Sequence, residues 1–257
     1  MRILVSNDDG VHAEGLHVLA RELKKIAKTV IIVAPEKERS TTGHSLTLHK
    51  PLRLDELSKG VYSVNGSPAD CVYLGLREIF GSAPDFVVSG INRGSNLGQD
   101  VYYSGTVSAA REACVLGIPA LSVSLCIDAV VKRVSDSDRL YFESAAKMAV
   151  KLLKSIKKNP LPEHTLLNLN VPNLPIGKIK GFMPAKMGFR YYGGKILKRQ
   201  DNRGKNYYWI GGQYQGFKKE KDTDCVAVNG HYAAITPLQL DVTDYDFLRK
   251  LEHEWCE

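Results

Sequence analysis

The sequence lacks the hydrophobic runs and cysteine patterns of membrane proteins and of proteins from oxidising compartments. None of its 257 residues lies in a run that approaches the ~18 apolar residues of a membrane span. The apolar run near the N-terminus has three residues, too few for the core of a secretion signal. Five cysteines, without a C-x-x-C pair, argue against a disulfide framework and a thiolate zinc site. These absences predict a cytoplasmic protein with no membrane partner.

Three well-known nucleotide and phosphate motifs are also missing. No G-x-G-x-x-G follows the first predicted strand, which excludes a dinucleotide fingerprint there. Each Gly-Lys pair is followed by Ile or Asn rather than Ser or Thr, so there is no P-loop. Residues 222–226 match the D-x-D-x-V pattern of aspartyl-phosphate phosphatases, but the lysine-rich residues 217–221 before them are not a buried strand.

Positive charge is concentrated in one segment. The chain carries a net charge of +7, yet residues 178–221 hold twelve Lys or Arg against two acidic residues. This segment therefore has a net charge of +10, and the remainder of the chain −3. Such a segment is compatible with a solvated arm or subunit contact, and also with a surface that binds nucleic acid.

The first half of the chain has the pattern of alternating strands and helices. Residues 2–6 read as a strand, apolar residues from 16 to 27 share one helical face, and residues 29–33 form a second buried strand. This order predicts a right-handed βαβ unit. Weak strands or a hairpin are predicted over 46–64. Further elements are predicted as a helix over 68–80, a strand over 85–89, a helix over 106–116, a strand over 120–125 and a helix over 138–156.

The composition of the sequence changes after about Pro172. Glycine, tyrosine and lysine alternate there with short β-type runs, which predicts a hairpin arm, a late strand over 232–236 and a final helix over 244–253. We therefore expect an α/β protein with a doubly wound, Rossmann-like, mostly parallel sheet over residues 1–170. Residues 171–257 are expected to form a C-terminal arm and helix that are not an independent domain.

Two adjacent carboxylates, Asp8 and Asp9, follow the first predicted strand and precede Gly10. Ligands of open α/β sheets bind at the carboxyl ends of the strands. Adjacent carboxylates repel each other, so their placement is costly unless a cation neutralises them. Asp-Gly is also a good turn sequence, so these residues alone are equally compatible with a plain turn.

The other strand ends deliver more oxygen donors. Residues 34–45 follow the second strand, and residues 90–98 follow the strand over 85–89. Both segments are rich in hydroxyl, amide and carboxylate groups, with a single histidine and no cysteine. Hard cations such as Mg²⁺ or Mn²⁺ prefer such donors, whereas zinc prefers imidazole and thiolate.

Ser104, Gly105 and Thr106 stand at the start of a predicted helix. Free backbone N–H groups and two hydroxyls make this start a possible anion site, although Ser and Thr are also ordinary helix caps. A cation site and an anion site on one sheet edge together suggest phosphoryl chemistry. His44 is interpreted as a loop hydrogen-bonder rather than an acid or base, and Cys71 as a buried thiol. Asp70 is interpreted as support for its helix start or the neighbouring loop.

Five motifs in this order resemble the SurE (survival protein E) family of bacterial and archaeal 5'/3'-nucleotidases. They are Asn7-Asp8-Asp9-Gly10, Ala34-Pro35 with Ser40, Ser67-Pro68-Ala69-Asp70-Cys71, Ser89-Gly90-Ile91-Asn92-Arg93-Gly94 with Asn96 and Gly98, and Tyr103-Ser104-Gly105-Thr106-Val107. Ile235-Thr236-Pro237-Leu238 extends the resemblance toward the end of the chain. The departures are mild: Ser67 stands where Thr is frequent, and Glu112-Ala113 where Glu-Gly is frequent.

The resemblance implies a metal-dependent phosphatase of nucleoside 5'- and 3'-monophosphates, and in some members of short polyphosphate. It implies one divalent ion per subunit, Mg²⁺ or Mn²⁺, held by Asp8, Asp9, Ser40 and Asn92. It also implies a dimer or tetramer that exchanges C-terminal segments.

The expected mechanism is hydrolysis by a metal-activated water. Asp8 or Asp9 would accept its proton, while Asn96 and the start over Ser104, Gly105 and Thr106 would hold the phosphoryl oxygens. Direct attack by an aspartate is the open mechanistic alternative. The alternative functions are a nucleic-acid-binding protein that uses residues 178–221 and a non-catalytic nucleotide sensor.

Overall fold

A nine-stranded sheet forms the centre of the computed structural model, which describes residues 1–127 and 139–255. Its strands are β1 (Arg2–Ser6), β2 (Thr29–Pro35), β3 (Leu54–Ser58), β4 (Val61–Val64), β5 (Phe86–Arg93), β6 (Ala120–Cys126), β7 (Thr165–Pro172), β8 (Phe182–Pro184) and β13 (Ala233–Gln239). Two small antiparallel pairs join β9 (Arg190–Tyr192) to β12 (Tyr214–Phe217), and β10 (Ile196–Gln200) to β11 (Asn206–Ile210).

Six α-helices are found in the described part of the chain. They are α1 (Glu14–Leu23), α2 (Pro68–Leu74), α3 (Gly105–Val115), α4 (Phe142–Lys158), α5 (Asp224–Asn229) and α6 (Tyr245–Glu254). Among the helices of residues 1–127 and 139–255, none combines the length and the apolar character that a membrane crossing requires.

The strand order creates a switch point between β1 and β5. The order is β3-β4-β2-β1-β5-β6-β7-β13-β8, with β2, β1, β5, β6 and β7 mutually parallel. From β1 the chain first builds the sheet toward β3, and then returns to place β5 on the other side of β1. Loops diverge at such a point and leave a crevice at the carboxyl ends of the strands. The predicted doubly wound, mostly parallel α/β fold is confirmed.

The core has two layers because the inner strands are apolar on both faces. Ile3 and Val5 of β1 pack in one buried cluster with residues of α1 and α4. Leu4 points to the opposite face and packs in a second buried cluster with residues of α2 and α3. This alternation along β1 follows from the two-residue period of a strand.

Several predicted boundaries shift in the structure. Helix α4 begins at Phe142, and the predicted start at Asp138 lies outside the described residues. Helix α2 ends at Leu74 and continues as a wider π-helical turn over 75–79. Strand β7 was not predicted from the sequence. Its buried Asn168 and Asn170 break the apolar pattern of an inner strand, because they bind a loop rather than a hydrophobic layer.

The region after residue 170 contributes to the sheet as well as to an arm. Strand β13 pairs antiparallel with β7 and parallel with β8, and α5 packs against β13. The predicted hairpin arm corresponds to β10 and β11, whose side chains are all exposed. The division of the chain near residue 170 stays a prediction.

Candidate active site

A cleft of about 480 Å³ opens at the carboxyl ends of β1, β2 and β5, beside the switch point. Its polar walls include Asp8, Asp9, Glu38, Ser40, Asn92 and Ser104. Another cavity of similar volume lies between Tyr102, Leu161 and Leu238. Its lining is mostly apolar and includes neither Asp8 nor Asp9. The chemistry of the donor groups, and not the size of the cavity, identifies the candidate site.

A tight turn after β1 carries the two carboxylates. Gly10 has a φ of +99°, and a Cβ there would lie 3.2 Å from the carbonyl carbon of Lys37. Asn7 Nδ2 donates to the Gly10 carbonyl at 2.9 Å, and the Arg39 amide donates to the Asp8 carbonyl at 2.8 Å. The turn indicated by the Asp-Gly sequence is therefore present, and it fixes both carboxylates against the loop that follows β2.

Asp8 lies deep in the cleft, with 5% of its surface exposed. Burial is the main cause that raises its pKa to about 6, and the charge of Asp9 adds to the rise. The Thr106 hydroxyl donates to Asp8 Oδ1 and opposes the rise. A Cβ at Gly105 would come within 2.6 Å of the Asp8 Cβ. The start of α3 thus needs glycine at this position because the Asp8 side chain packs directly against it.

Asp9 is the more accessible carboxylate. Its Oδ2 accepts a hydrogen bond from the backbone N–H of Arg93 at 3.2 Å, which ties the end of β1 to the end of β5. Burial raises the pKa of Asp9, and the charge of Glu38 raises it further, against the lowering by the Arg93 amide. Two neighbouring carboxylates with raised pKa values mark a site that favours an added cation.

An irregularity in β5 brings Asn92 to the cleft. The pairing of β5 with β6 shifts register between Ser89 and Asn92, as in a β-bulge, which redirects the following side chains. Gly90 at this point has a φ of +132°, and a Cβ there would lie 2.3 Å from the Val123 carbonyl oxygen. The Asn92 amide is oriented by donation from Nδ2 to the Gly94 carbonyl at 3.0 Å.

Ser40 reaches the cleft from the loop after β2. Its hydroxyl donates to Glu38 Oε1 at 2.5 Å, so its proton points away and its oxygen lone pairs remain available as a ligand. Gly43 of the same loop donates its N–H to the Tyr103 carbonyl at 3.3 Å. The loop therefore lies over the start of α3.

The donor set fits a hard divalent cation. Among residues 1–127 and 139–255, no three His, Cys, Asp or Glu side chains converge as metal ligands. The cleft instead combines two carboxylates, Asp8 and Asp9, with the Asn92 amide and the Ser40 hydroxyl. All four supply oxygen, which Mg²⁺ and Mn²⁺ prefer. A divalent charge would also offset the cost of placing two carboxylates side by side, one of them buried.

The start of α3 is both a cap and part of the cleft. Ser104 is the N-cap residue, and its Oγ accepts from the Val107 N–H at 3.0 Å. Ser104 also lines the cleft. Thr106 is fully buried behind Asp8, to which its hydroxyl donates. The structure thus brings Ser104 to the cleft surface, while Gly105 and Thr106 shape the position of Asp8.

Asn96 is buried beneath the cleft and is not among the residues that line it. Its Nδ2 donates to Ser124 Oγ at 2.8 Å. Its backbone carbonyl accepts from the amides of Asn168 and Asn170, at 2.8 and 3.0 Å. These contacts hold the loop that contains Asn96 against β6 and β7. A contact of Asn96 with the phosphoryl group stays a prediction.

The structure agrees with the non-catalytic interpretations of three other residues, His44, Cys71 and Asp70. His44 Nε2 lies 2.8 Å from Glu112 Oε2, a contact that anchors its loop on α3. Burial raises the pKa of the Cys71 thiol well above its ordinary value, which makes it a poor nucleophile. Asp70 forms a capping box with Ser67 and binds the backbone and hydroxyl of Thr47.

Sequence reasoning missed several residues of this region. Arg93, Asp100 and Tyr103 line the cleft, and each stands within or beside a motif that could have indicated it. Arg190 contacts Asp100 from 90 positions away in the chain, and no local signal in the sequence indicates that contact. Asp224, from the dismissed D-x-D-x-V match, is fully buried and binds backbone amides, including that of Gly98 at 2.8 Å.

Comparisons with known proteins agree with the fold and the motifs. The family model "Survival protein SurE" matches residues 3–194. The chain is 47% identical over 252 residues to the 5'-nucleotidase SurE of Geobacter sulfurreducens, covering 98% of this chain and 93% of that protein. It is 46% identical to the 5'-nucleotidase SurE of Mannheimia succiniciproducens, covering 100% of this chain and 99% of that one.

Similarity of structure extends over the same length. The crystal structure of the SurE protein from Aquifex aeolicus matches with a TM-score of 0.84 and 39% identity, covering 98% of this chain and 99% of that chain. The match in family model, sequence and fold spans the switch-point cleft and the strands that carry it. On these grounds the chain belongs to the SurE family.

Proposed function

We propose that this chain is a 5'-nucleotidase, a phosphatase that hydrolyses nucleoside 5'-monophosphates to nucleoside and phosphate. The observation that carries the proposal is the pair of adjacent carboxylates at the switch point: Asp8 is buried against the start of α3, and Asp9 lies beside it in the cleft. Relatives that share nearly half of its residues over almost the full length carry the name 5'-nucleotidase.

The proposal includes one divalent cation, Mg²⁺ or Mn²⁺, held by Asp8, Asp9, Asn92 and Ser40. When bound, such a cation polarises a phosphoryl oxygen and lowers the pKa of a water molecule. The Thr106 hydroxyl and the Arg93 backbone N–H keep the two carboxylates oriented toward the cleft. Their preorganised negative charge is what selects a cation at this position.

The start of α3 is proposed to receive the phosphoryl group. Ser104 lines the cleft, and the first N–H groups of α3 lack partners within the helix, which favours an anion. Tyr103, with 65% of its surface exposed, offers an aromatic face for a nucleoside beside that position. Asp8 or Asp9 can accept the proton of the attacking water. Asn96 is proposed to contribute to the phosphoryl position from beneath.

The oligomeric state, the compartment and the wider substrate range are further parts of the proposal. We propose a homodimer or homotetramer, because Trp209 and Ile210 of the hairpin are 62% and 93% exposed, and α6 has no buried residue. Exchange of C-terminal segments would cover these surfaces. A cytoplasmic location and activity on 3'-monophosphates and short polyphosphate are proposed on the family resemblance alone.

A panel of phosphorylated substrates tests the function directly. Phosphate release from nucleoside 5'-monophosphates, 3'-monophosphates and short polyphosphate is measured with Mg²⁺, with Mn²⁺ and with EDTA. We expect turnover of the 5'-monophosphates that EDTA abolishes and that the added metal restores. Nucleotide binding without turnover would instead indicate a sensor. Metal-independent binding of nucleic acid that weakens steeply with salt would indicate the role of a nucleic-acid-binding protein.

The identity of the nucleophile has its own test. The protein is incubated with substrate and with fluoride-type phosphate analogues, and its mass is then measured. We expect no covalent adduct, because both carboxylates are needed as ligands. A phosphoryl or analogue adduct on Asp8 or Asp9 would show that an aspartate, and not a water molecule, is the nucleophile.

A further inference from the structure

The loop of residues 95–104, here called the cleft loop, connects β5 to α3. Asp100 lies at its centre and lines the cleft, and Ser104 ends it as the N-cap of α3. The Asp100 carbonyl accepts the N–H groups of Tyr103 at 3.0 Å and Ser104 at 3.1 Å. The position of Ser104 therefore depends on the position of Asp100.

Asp100 is held by a residue from the distant C-terminal region. Arg190, at the start of β9, has a side chain that is only 2% exposed. Its Nη1 donates to Asp100 Oδ2 at 2.6 Å and to Ser95 Oγ at 3.0 Å, so that it spans the cleft loop. The guanidinium carbon also stands 4.2 Å from the ring centre of Tyr214, a cation–π contact.

Two further side chains, of Gln99 and Asp224, also link the cleft loop to the segment around Arg190. The Arg190 N–H donates to Gln99 Oε1 at 2.9 Å, and Gln99 Nε2 donates to the Arg190 carbonyl at 2.6 Å. Asp224 accepts the N–H groups of both Gly98 and Gly188, each at 2.8 Å. The Arg190 guanidinium therefore rests on a rigid support, and its place relative to the cleft loop is fixed.

The charge of Arg190 matters as much as its contacts. The cleft wall carries four carboxylates, of Asp8, Asp9, Glu38 and Asp100. A phosphate monoester is an anion, and an uncompensated carboxylate of Asp100 beside Ser104 would repel it. Arg190 pairs that carboxylate with a buried guanidinium and is not among the residues that line the cleft.

We propose that Arg190 is a positioning residue for the phosphatase reaction, which neutralises Asp100 and fixes Ser104 through the Asp100 carbonyl. The inference rests on the proposed function, because it assigns the phosphoryl group to the start of α3. It adds a residue that contacts neither the metal ligands nor the substrate. It also makes the region around β9 a structural part of the active site.

The test compares charge variants of the pair in the full-length protein. The variants are Arg190→Gln, Asp100→Asn and the double variant, with Lys154→Gln on the exposed face of α4 as the matched loss of one positive charge. KM and kcat for a nucleoside 5'-monophosphate are measured with saturating Mn²⁺. Circular dichroism and thermal unfolding report whether each variant is folded.

We expect Arg190→Gln to raise KM by roughly tenfold or more with a smaller change in kcat. The Asp100 carboxylate would keep its hydrogen bond from Tyr192 Oη at 2.5 Å but lose its cationic partner, and its charge would then repel the anion. The double variant should recover KM to within about threefold of the wild type, because no unpaired charge remains. Lys154→Gln should leave both constants unchanged. A rise in KM that exceeds the change in kcat, without a matching loss of melting temperature, is a signature that a purely structural role does not produce.

Two outcomes would overturn the inference while leaving the proposed function intact. One is a KM of Arg190→Gln within twofold of the wild type, and the other is a double variant no better than Arg190→Gln. If Arg190→Gln does not fold, Arg190→Lys and the double variant decide instead. Arg190→Lys keeps the charge, so its KM should rise less than threefold, and a larger rise would contradict the argument. A wild type without turnover would instead refute the proposed function.

Discussion

Replacement of Asp8 by Asn should stabilise the metal-free protein while it removes the activity. Burial raises the pKa of Asp8 from 3.8 to about 6, so the folded protein holds a proton between these pH values that the unfolded chain has released. Stability is therefore lost as the pH rises through this window. At 1.36 kcal/mol for each pKa unit, the ionised carboxylate costs the folded state about 3 kcal/mol above pH 7.

Urea unfolding in EDTA measures this cost. The stability advantage of Asp8→Asn over the wild type should be about 2 kcal/mol greater at pH 7.5 than at pH 4.5. The difference between the two pH values removes contact effects that do not depend on protonation. Asp55→Asn, on the exposed strand β3, is the matched control and should show no such dependence.

Added metal should reverse the order of stabilities. Mn²⁺ binds the folded wild type and stabilises it by mass action, whereas Asp8→Asn lacks one ligand and gains less. Phosphate release by Asp8→Asn should be lost even in excess Mn²⁺. An advantage of Asp8→Asn that is equal at both pH values would refute the reasoning, because it would show that the carboxylate is not costly when ionised.

The remaining predictions concern the supports of the site. Gly105→Ala places a methyl group 2.6 Å from the Asp8 Cβ and must displace the Asp8 side chain, so kcat/KM and Mn²⁺ affinity should fall at least roughly tenfold. Thr106→Val removes the hydroxyl that stabilises the ionised form, so carbon-13 titration in EDTA should find a higher pKa for Asp8 than in the wild type. Asp224→Asn leaves an amide such as that of Gly98 without its acceptor, and urea unfolding should show a loss of about 1–3 kcal/mol. An unchanged value in any of these measurements would contradict the corresponding contact.

The metal-ligand candidates could be proposed from the sequence because they lie at strand ends. Asp8 and Asp9 follow β1, and Asn92 lies at the end of β5, so the parallel topology alone brings them to one edge. A parallel sheet has one carboxyl edge, and a short motif is enough to place a residue on it. The local pattern also predicted a helix start near Ser104, which the structure shows to be the N-cap of α3.

The supports of the site could not be predicted in the same way. Strand β7 went unrecognised because Asn168 and Asn170 occupy buried positions where an inner strand normally carries apolar side chains. Their amides bind the Asn96 carbonyl in a loop that is more than seventy positions away. The contact between Arg190 and Asp100 is equally remote. Such contacts depend on how distant segments pack, and no periodicity in the sequence records them.

Crystals grown with Mn²⁺ test the central claim most directly, through the anomalous scattering of the bound ion. The account predicts one strong anomalous peak per chain in the cleft, within ligand distance of oxygen atoms of Asp8, Asp9, Asn92 and Ser40. An absent peak in a fully folded crystal, or a peak held by other side chains, would contradict it.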